Sequence, residues 1–177
     1  MKLLKVTQFG NPILRKKAKK VSVTKVRQGA YSSLIENMFF TMRKNEGVGI
    51  AAPQVGEPLQ LAVIEIPNIP SRKNQALEAT VIFNPKITRY SRRTKSEWEG
   101  CLSFPELRGL VPRSVSIDVE YYNENGKRIK RTYKDFRARV FQHEIDHLSG
   151  TLFTDRMKDM SSLMTLDEFN KRVLKQT

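Results

Sequence analysis

The chain has 177 residues, of which 39% are hydrophobic and 28% are charged. These values are typical of a globular protein, and the length predicts a single domain over residues 1–177. No apolar run approaches the roughly 18 residues of a membrane span, which excludes a membrane-spanning helix. The formal charge of +14 favours polyanion binding, although a merely solvated basic surface would give the same composition.

Cysteine and histidine are scarce. The only cysteine is Cys101, and the only histidines are His143 and His147. A single cysteine excludes an internal disulfide and favours a reducing compartment, so we expect a cytoplasmic protein. The first ten residues lack the apolar core and cleavage site of a secretory signal, which agrees with that expectation.

Hydrophobic periodicity predicts a helix at the start of the chain and strands after it. Apolar residues four apart, from Val26 to Met42, predict one long helix. Runs rich in β-branched residues, or alternating in polarity, predict strands at residues 59–66, 79–83 and 115–121. Asn84-Pro85 is expected to stop the second strand. A turn at residues 123–126 (NENG) is expected to return the chain as a partner strand over residues 127–133.

Two further helices are predicted in the last third of the chain. The first covers about residues 134–148 and ends at Ser149-Gly150. The second covers much of residues 161–175. Helices at both ends with strands between them indicate an α+β fold with mostly antiparallel sheet.

Residues 143–147 (HEIDH) form an HExxH motif on the first of these helices. Histidines four apart lie on the same helix face, so both rings can reach one metal ion. Glu144 projects beside that ion, where it can exchange protons with water. Phe136 and Val140 share the face, so a structural role in the core is the alternative for the two histidines.

The third metal ligand is open from residue types alone. A catalytic site needs three protein ligands and one free position, and no histidine follows the motif. Asp167 and Glu168 lie downstream, in the predicted last helix. Cys101 is the soft ligand available upstream, but a free cysteine is often only a buried apolar residue.

Three segments together resemble the peptide deformylase family: residues 47–54 (GVGIAAPQ), 99–103 (EGCLS) and 142–147 (QHEIDH). Residues 9–15 (FGNPILR) and 104–113 (FPELRGLVPR) extend the resemblance. It implies antiparallel sheets around a central helix that carries HExxH, with an N-terminal and a C-terminal helix. It also implies metal-dependent removal of the N-formyl group from nascent polypeptides, with release of formate.

The resemblance assigns roles to residues. It implies Cys101, His143 and His147 as ligands of one divalent ion, natively Fe²⁺, with Zn²⁺, Ni²⁺ or Co²⁺ possible. It makes Glu144 the proton-transfer group. It implies that the side-chain amide of Gln54 and the backbone N–H of Leu102 stabilise the oxyanion, although Gln54 could otherwise be a turn residue.

We also expect particular residues to bind the peptide substrate. The backbone of Gly49 and Ile50, with Gly100 opposite, is expected to pair the nascent chain as an added strand. Glycines at residues 47 and 49 allow the backbone to approach a ligand closely. The methionine side chain is expected to enter an apolar pocket, for which the candidates are Val48, Phe136 and Val140. Plain core packing is the alternative for the last two.

Asp146 cannot share a face with the two histidines, and we expect it to pair with Arg113 as a structural residue. Two other functions compete with deformylation. One is an HExxH peptidase that cuts internal bonds, and the other is a basic ribosome-binding module with a structural metal. A deformylase would act on N-formylmethionyl nascent peptides. Its basic surface and C-terminal helix, ending in residues 171–175 (KRVLK), could contact ribosomal RNA near the tunnel exit, and no membrane partner is expected.

Overall fold

The computed structural model describes residues 1–70 and 74–175. Within these two ranges, five α-helices occur in chain order: α1 (Val23–Arg27), α2 (Ser32–Lys44), α3 (Asp135–Leu148), α4 (Phe153–Arg156) and α5 (Leu166–Phe169). The strands are β1 (Gly49–Ala51), β2 (Leu61–Ile66), β3 (Leu77–Tyr90), β4 (Thr94–Cys101), β5 (Phe104–Ser114), β6 (Ser116–Tyr122), β7 (Arg128–Lys134) and β8 (Met164–Thr165).

These strands form two antiparallel sheets. The larger sheet has the order β1-β2-β3-β6-β7, and the smaller has the order β4-β5-β8. Every paired strand runs antiparallel to its neighbour, so the predicted α+β class with antiparallel sheet is confirmed. Both β1 and β4 are edge strands in the described residues, and this leaves one backbone edge of each outside the ladders.

Helix α3 packs against the larger sheet through its apolar face. Phe141 stacks on Tyr133 of β7 with ring centroids 3.8 Å apart, and Ala138 and Val140 join the same core cluster. Tyr133 also shares a hydrogen bond of 2.9 Å with Tyr121 of β6, so the buried hydroxyls satisfy each other. This packing fixes the position of the helix that carries the HExxH motif.

The predicted first helix is wrong as a single element. It is two helices, α1 and α2, because Gly29 adopts a left-handed backbone with φ +72° after α1 ends at Arg27. Val26 of α1 and Met38 and Met42 of α2 are nevertheless buried in one core cluster, and Leu34 packs against it, whereas Ala30 between the helices is exposed. Each short helix therefore contributes part of one apolar face, and the stripe looks continuous in sequence.

The predicted stop at Asn84-Pro85 is also wrong. Strand β3 continues to Tyr90, with a register shift between Phe83 and Lys86. Asn84 has φ 48°, and its side-chain amide bonds both backbone groups of Val21. Proline lacks a backbone N–H for strand pairing, and a bulge is one of the places where a strand tolerates proline.

Other boundaries agree with the sequence, and some elements were missed. Strands β2, β6 and β7 and helix α3 lie within two residues of their predicted bounds. Strands β4 and β5 were not predicted, and they form the smaller sheet with β8. The C-terminal helix is shorter than expected, because residues 160–175 form a 3₁₀ turn, β8, α5 and a π-helical turn over Asn170–Leu174.

Within the described ranges, no helix combines the length and apolar character that crossing a bilayer requires.

Candidate metal centre and active site

An open cleft of about 550 Å³ lies between the edge strands of the two sheets and helix α3. Eleven of the residues singled out in the sequence line it: Gly47, Val48, Gly49, Gln54, Gly100, Cys101, Leu102, Phe136, Val140, His143 and Glu144. Ile50 does not, because its side chain is fully buried in the core with Met38 and Leu61. His147 lies buried one helical turn beyond His143.

Cys101, His143 and His147 come together. Their ligand atoms all lie within 4.8 Å of one another, and Cys101 Sγ is 3.3 Å from His147 Nε2. The two histidines meet because they are one turn apart on α3, while Cys101 arrives from the end of β4. Asp167 and Glu168 take no part in this group, and Glu168 instead bonds Arg172 at 2.7 Å.

The electrostatics of this group favour a bound cation. Burial disfavours a charged imidazole at His143, but hydrogen bonds with Cys101 and Glu99 outweigh burial and raise its pKa well above the ordinary value. A positive charge is therefore stabilised beside the sulfur. Burial, followed by the charge on His143, lowers the pKa of His147 well below the ordinary value and keeps that ring neutral. A bound metal ion would replace the proton on His143, because Fe²⁺, Zn²⁺ and Ni²⁺ accept neutral imidazoles and a thiolate as donors.

Glu99 orients the ring of His143 from the side opposite Cys101. Its carboxylate lies 2.9 Å from Nδ1 of that ring, so Nε2 is left to face Cys101. Two buried guanidinium groups also donate to Glu99: Arg113 at 2.9 and 3.0 Å, and Arg139 at 2.6 Å. Burial opposes ionisation of Glu99, but its bonds from His143 and Arg113 prevail and hold its pKa far below the usual range.

Sequence reasoning gave Glu99 no role, although a carboxylate two residues before a candidate ligand was a signal. The expected pairing of Asp146 with Arg113 is confirmed. Arg113 therefore connects the carboxylates of Glu99 and Asp146. Asp146 also accepts a hydrogen bond of 2.7 Å from Arg156.

Glu144 is buried beside the ligand cluster. Only 4% of it is exposed, and its Oε2 atom has no hydrogen-bond partner among the described residues. Burial raises the pKa of Glu144 to about 7. A Cβ at Gly49 would lie 2.4 Å from Glu144 Oε1, so the glycine makes room for the carboxylate. A carboxyl group that titrates near neutrality suits proton transfer.

Gln54 has a fixed orientation. Its Oε1 accepts the backbone N–H of Ala51 at 2.8 Å, which turns the NH₂ group towards Cys101 Sγ at 3.4 Å and Ser103 Oγ at 3.2 Å. Gln54 is 1% exposed, so this donor is held in place beside the candidate ligand. Leu102 follows Cys101 directly in the chain and also lines the cleft.

Comparison with known proteins decides the family. The model of the polypeptide deformylase family matches residues 3–162. The chain belongs to the polypeptide deformylase family. Peptide deformylase 2 of a Nostoc species is 42% identical over 176 residues, covering 99% of this chain and 97% of that protein. Peptide deformylase of Thermotoga neapolitana is 40% identical over 162 residues, covering 92% of each chain.

Solved structures agree with this assignment. The peptide deformylase crystal structure from Thermotoga maritima aligns with a TM-score of 0.80 and 37% identity, covering 90% of this chain and all of that one. The Met-Ala-Ser-bound class I type b enzyme from Acinetobacter baumannii aligns with a TM-score of 0.82 and 36% identity, covering 88% and 99%. Members of the family are metal-dependent hydrolases that deformylate nascent peptides. Both the predicted family and its fold are therefore confirmed.

Proposed function

We propose that this chain hydrolyses the N-formyl group of N-terminal formylmethionine in the cleft that holds Cys101, His143 and His147. The observation that carries the proposal is the meeting of three ligand atoms within 4.8 Å, next to the buried Glu144. In the reaction, oxygen from water bonds to the formyl carbon and the bond from that carbon to the amine breaks. The amine nitrogen gains a proton, and formate leaves.

One divalent ion fits the three ligands. We assign Fe²⁺ as the native ion because the sequence resembles deformylases, and Zn²⁺, Ni²⁺ or Co²⁺ suits the same donors. When bound, such an ion supplies Lewis-acid chemistry that brings the pKa of water to about 7. Three protein ligands leave a position free, as a catalytic site requires.

The remaining groups handle the proton and the developing charge. Glu144 accepts a proton from the attacking water and delivers it to the amine nitrogen, which contributes roughly 10²–10⁴-fold to the rate. The side-chain NH₂ of Gln54 and the backbone N–H of Leu102 donate to the formyl oxygen as it gains negative charge. The contact between Gln54 and Ala51 supports this role, because it fixes the donor before substrate binds.

The substrate backbone adds as a strand between β1 and β4. Both strands are sheet edges in the described residues, and Gly49 and Gly100 line the cleft between them. Pairing through the backbone of Gly49, Ile50 and Gly100 tolerates any sequence downstream. The likeness to the Acinetobacter enzyme with bound Met-Ala-Ser supports the same use of this cleft.

The methionine side chain enters the apolar end of the cleft. Val48, Phe136 and Val140 line this region, and the latter two lie on α3 with His143. Each of the three also packs in or against the core cluster beneath, which fixes the pocket shape.

Formate release tests the proposal. Protein purified without oxygen is given formyl-Met-Ala-Ser, beside Glu144→Ala, and metal is assayed on the same samples. Formate from the wild type alone, with about one metal per chain in both proteins, is the expected result. Acetyl-Met-Ala-Ser and an N-blocked longer peptide serve as controls for general amidase and internal peptidase activity. No formate from metal-loaded wild type would contradict the proposal.

We further propose a cytoplasmic enzyme that contacts the ribosome through its C-terminal residues. A thiolate ligand at Cys101 needs a reducing compartment. Lys171 and Arg172 are exposed and belong to a chain of net charge +14, which suits ribosomal RNA. Glu168 pairs with Arg172 and offsets part of that local charge.

A further inference from the structure

One wall of the cleft is apolar and comes partly from the C-terminal segment. Trp98 of β4 and Leu166 and Phe169 of α5 line the cleft. The rings of Trp98 and Phe169 meet edge to face, with centroids 5.3 Å apart. The expected methionine pocket on α3 includes none of these three residues.

The C-terminal segment is held in place by the pairing of strand β8 with strand β5. Strand β8 pairs with β5 through Leu107 with Thr165 and Arg108 with Met164. Thr165 then caps α5 by accepting the backbone N–H of Glu168. Phe169 therefore occupies a fixed position at the end of a segment anchored to the smaller sheet.

The register places this wall beside the early part of an extended peptide. Trp98 precedes Cys101 by three residues, which is about 10 Å along a strand at ~3.3 Å per residue. In a peptide added along β4, the residue after methionine lies roughly 7 Å beyond the reacting carbon by the same rise. The two distances bring that residue within side-chain reach of Trp98.

The faces of β4 decide which side chain meets the wall. Glu97 and Glu99 both reach Arg139 of α3, so Trp98 between them points to the opposite face. Side chains of an extended peptide also alternate. Since methionine faces α3, the next side chain faces away from α3 and towards Trp98 and Phe169.

We propose that Trp98, Leu166 and Phe169 form the subsite for the residue that follows methionine, and that this subsite selects aromatic and large apolar side chains. The inference rests on the proposed function, with the reacting carbon at Cys101 and the peptide running from there along β4 towards Trp98. Contact between two aromatic rings adds binding energy to that gained by burying their apolar surface. This additional energy should make binding of a peptide with phenylalanine at this position about three- to tenfold tighter than binding of one with alanine.

Fluorescence gives a test that does not depend on catalysis. Trp98 is the only tryptophan in the chain, so its emission reports this wall alone. Titration with unformylated Met-Phe-Ser should change the emission and give a Kd about three- to tenfold lower than Met-Ala-Ser. Met-Ala-Phe, with phenylalanine one residue later, should resemble Met-Ala-Ser. Equal emission changes and equal Kd values for all three peptides would overturn the subsite.

Kinetics on metal-loaded protein give the second test. Phe169→Ala should lower kcat/KM for formyl-Met-Phe-Ser by about three- to tenfold more than it lowers kcat/KM for formyl-Met-Ala-Ser. The matched control is Met160→Ala, which truncates an exposed apolar residue in the same part of the chain. It should leave all ratios unchanged. Equal losses on both peptides, with unchanged melting and metal content, would also overturn the subsite.

The two tests separate the subsite from the activity. Absence of formate from every peptide would sink the proposed function, and the fluorescence titration would still decide whether the subsite exists. Normal activity without selectivity at the second residue would reject the subsite alone.

Discussion

The carboxylate of Glu144 occupies the space that a side chain at residue 49 would need. A Cβ on Gly49 would lie 2.4 Å from Glu144 Oε1 and 2.8 Å from its Cδ atom. Contacts below 3.0 Å force a shift, and both atoms belong to the group proposed to move the proton. The glycine of β1 and the glutamate of α3 are therefore fitted to each other across the cleft.

Gly49→Ala should displace Glu144 without removing a ligand. We expect kcat to fall by about tenfold or more, because misplacement of a catalytic group by about 1 Å can lower the rate by about 10²-fold. Formate release and metal content on the same samples check this. Gly56→Ala serves as a control away from any neighbour, although its φ of +85° adds strain. Wild-type kcat in Gly49→Ala would show that Glu144 needs no such precision.

Gln54→Leu removes one proposed oxyanion donor while keeping an apolar side chain of similar size. Loss of such a donor costs about 2.7–4 kcal/mol, so kcat should fall by roughly 10²–10³-fold. KM for formyl-Met-Ala-Ser should change much less, because the donor acts on charge that develops in the transition state. Steady-state kinetics decide this, and an effect confined to KM would assign Gln54 to substrate binding instead.

Asp146→Asn should destabilise the fold. Removing one partner of a buried ion pair costs about 3–5 kcal/mol, and Arg113 would lose one of its two carboxylates. For a chain of this size that is a fall in melting temperature of about 6–20 °C. The matched control is Asp118→Asn, whose pair with the exposed Arg89 is worth about 0–1 kcal/mol.

Thermal unfolding with metal assay measures both proteins. Because Asp146 is a structural residue in our interpretation, Asp146→Asn that still folds should keep proton transfer by Glu144. Melting and metal content equal to wild type would rule out the structural role.

Glu99→Gln should weaken metal binding. The substitution removes the anion that orients His143, and loss of such an outer partner typically costs 10–100-fold in metal affinity. Competition with a chelator measures this affinity directly. Glu97→Gln is the matched control, since Glu97 is more exposed and contacts Arg139 but not a histidine. Equal metal retention in both variants would mean that Glu99 serves only the arginines.

Truncation after Asn170 tests the ribosome contact. The cut removes Lys171 and Arg172 but keeps β8 and the cleft-lining Leu166 and Phe169. Ribosome association should weaken and lose part of its salt dependence, because fewer phosphates are neutralised. Activity on formyl-Met-Ala-Ser should remain. Co-sedimentation at two salt concentrations measures the effect, and identical binding by the truncated chain would end the proposal.

Local patterns in the sequence gave correct predictions where the geometry of a single helix or strand sets the pattern. The alternation in β6 and the turn before β7 were predicted because the polarity of each residue follows its own strand face. The two histidines were placed on one face because helical geometry alone sets their spacing. Cys101 was a ligand only by resemblance, since its distance from the histidines depends on how β4 meets α3.

Strands β4 and β5 were missed because their residues pair for tertiary reasons. Two of their charged side chains, Glu99 and Arg113, are buried because they bond each other, and Arg139 of α3 also donates to Glu99. A sequence pattern treats such residues as exposed. The continuation through Pro85 was missed for a similar reason, since neighbouring packing outweighs local propensity. The break at Gly29 was missed because the apolar spacing continues across it, although glycine adopts a left-handed backbone readily.

The sequence by itself determined the family, the antiparallel α+β class and the residue types for a metal centre. These depend on motifs and on periodicities of 3.6 and 2, which are properties of a single segment. Only the tertiary structure decided that Glu99 orients His143, that Gly49 makes room for Glu144, and that Phe169 reaches the cleft. Each of these contacts joins segments distant in sequence, and their distances follow from packing of two sheets against one helix.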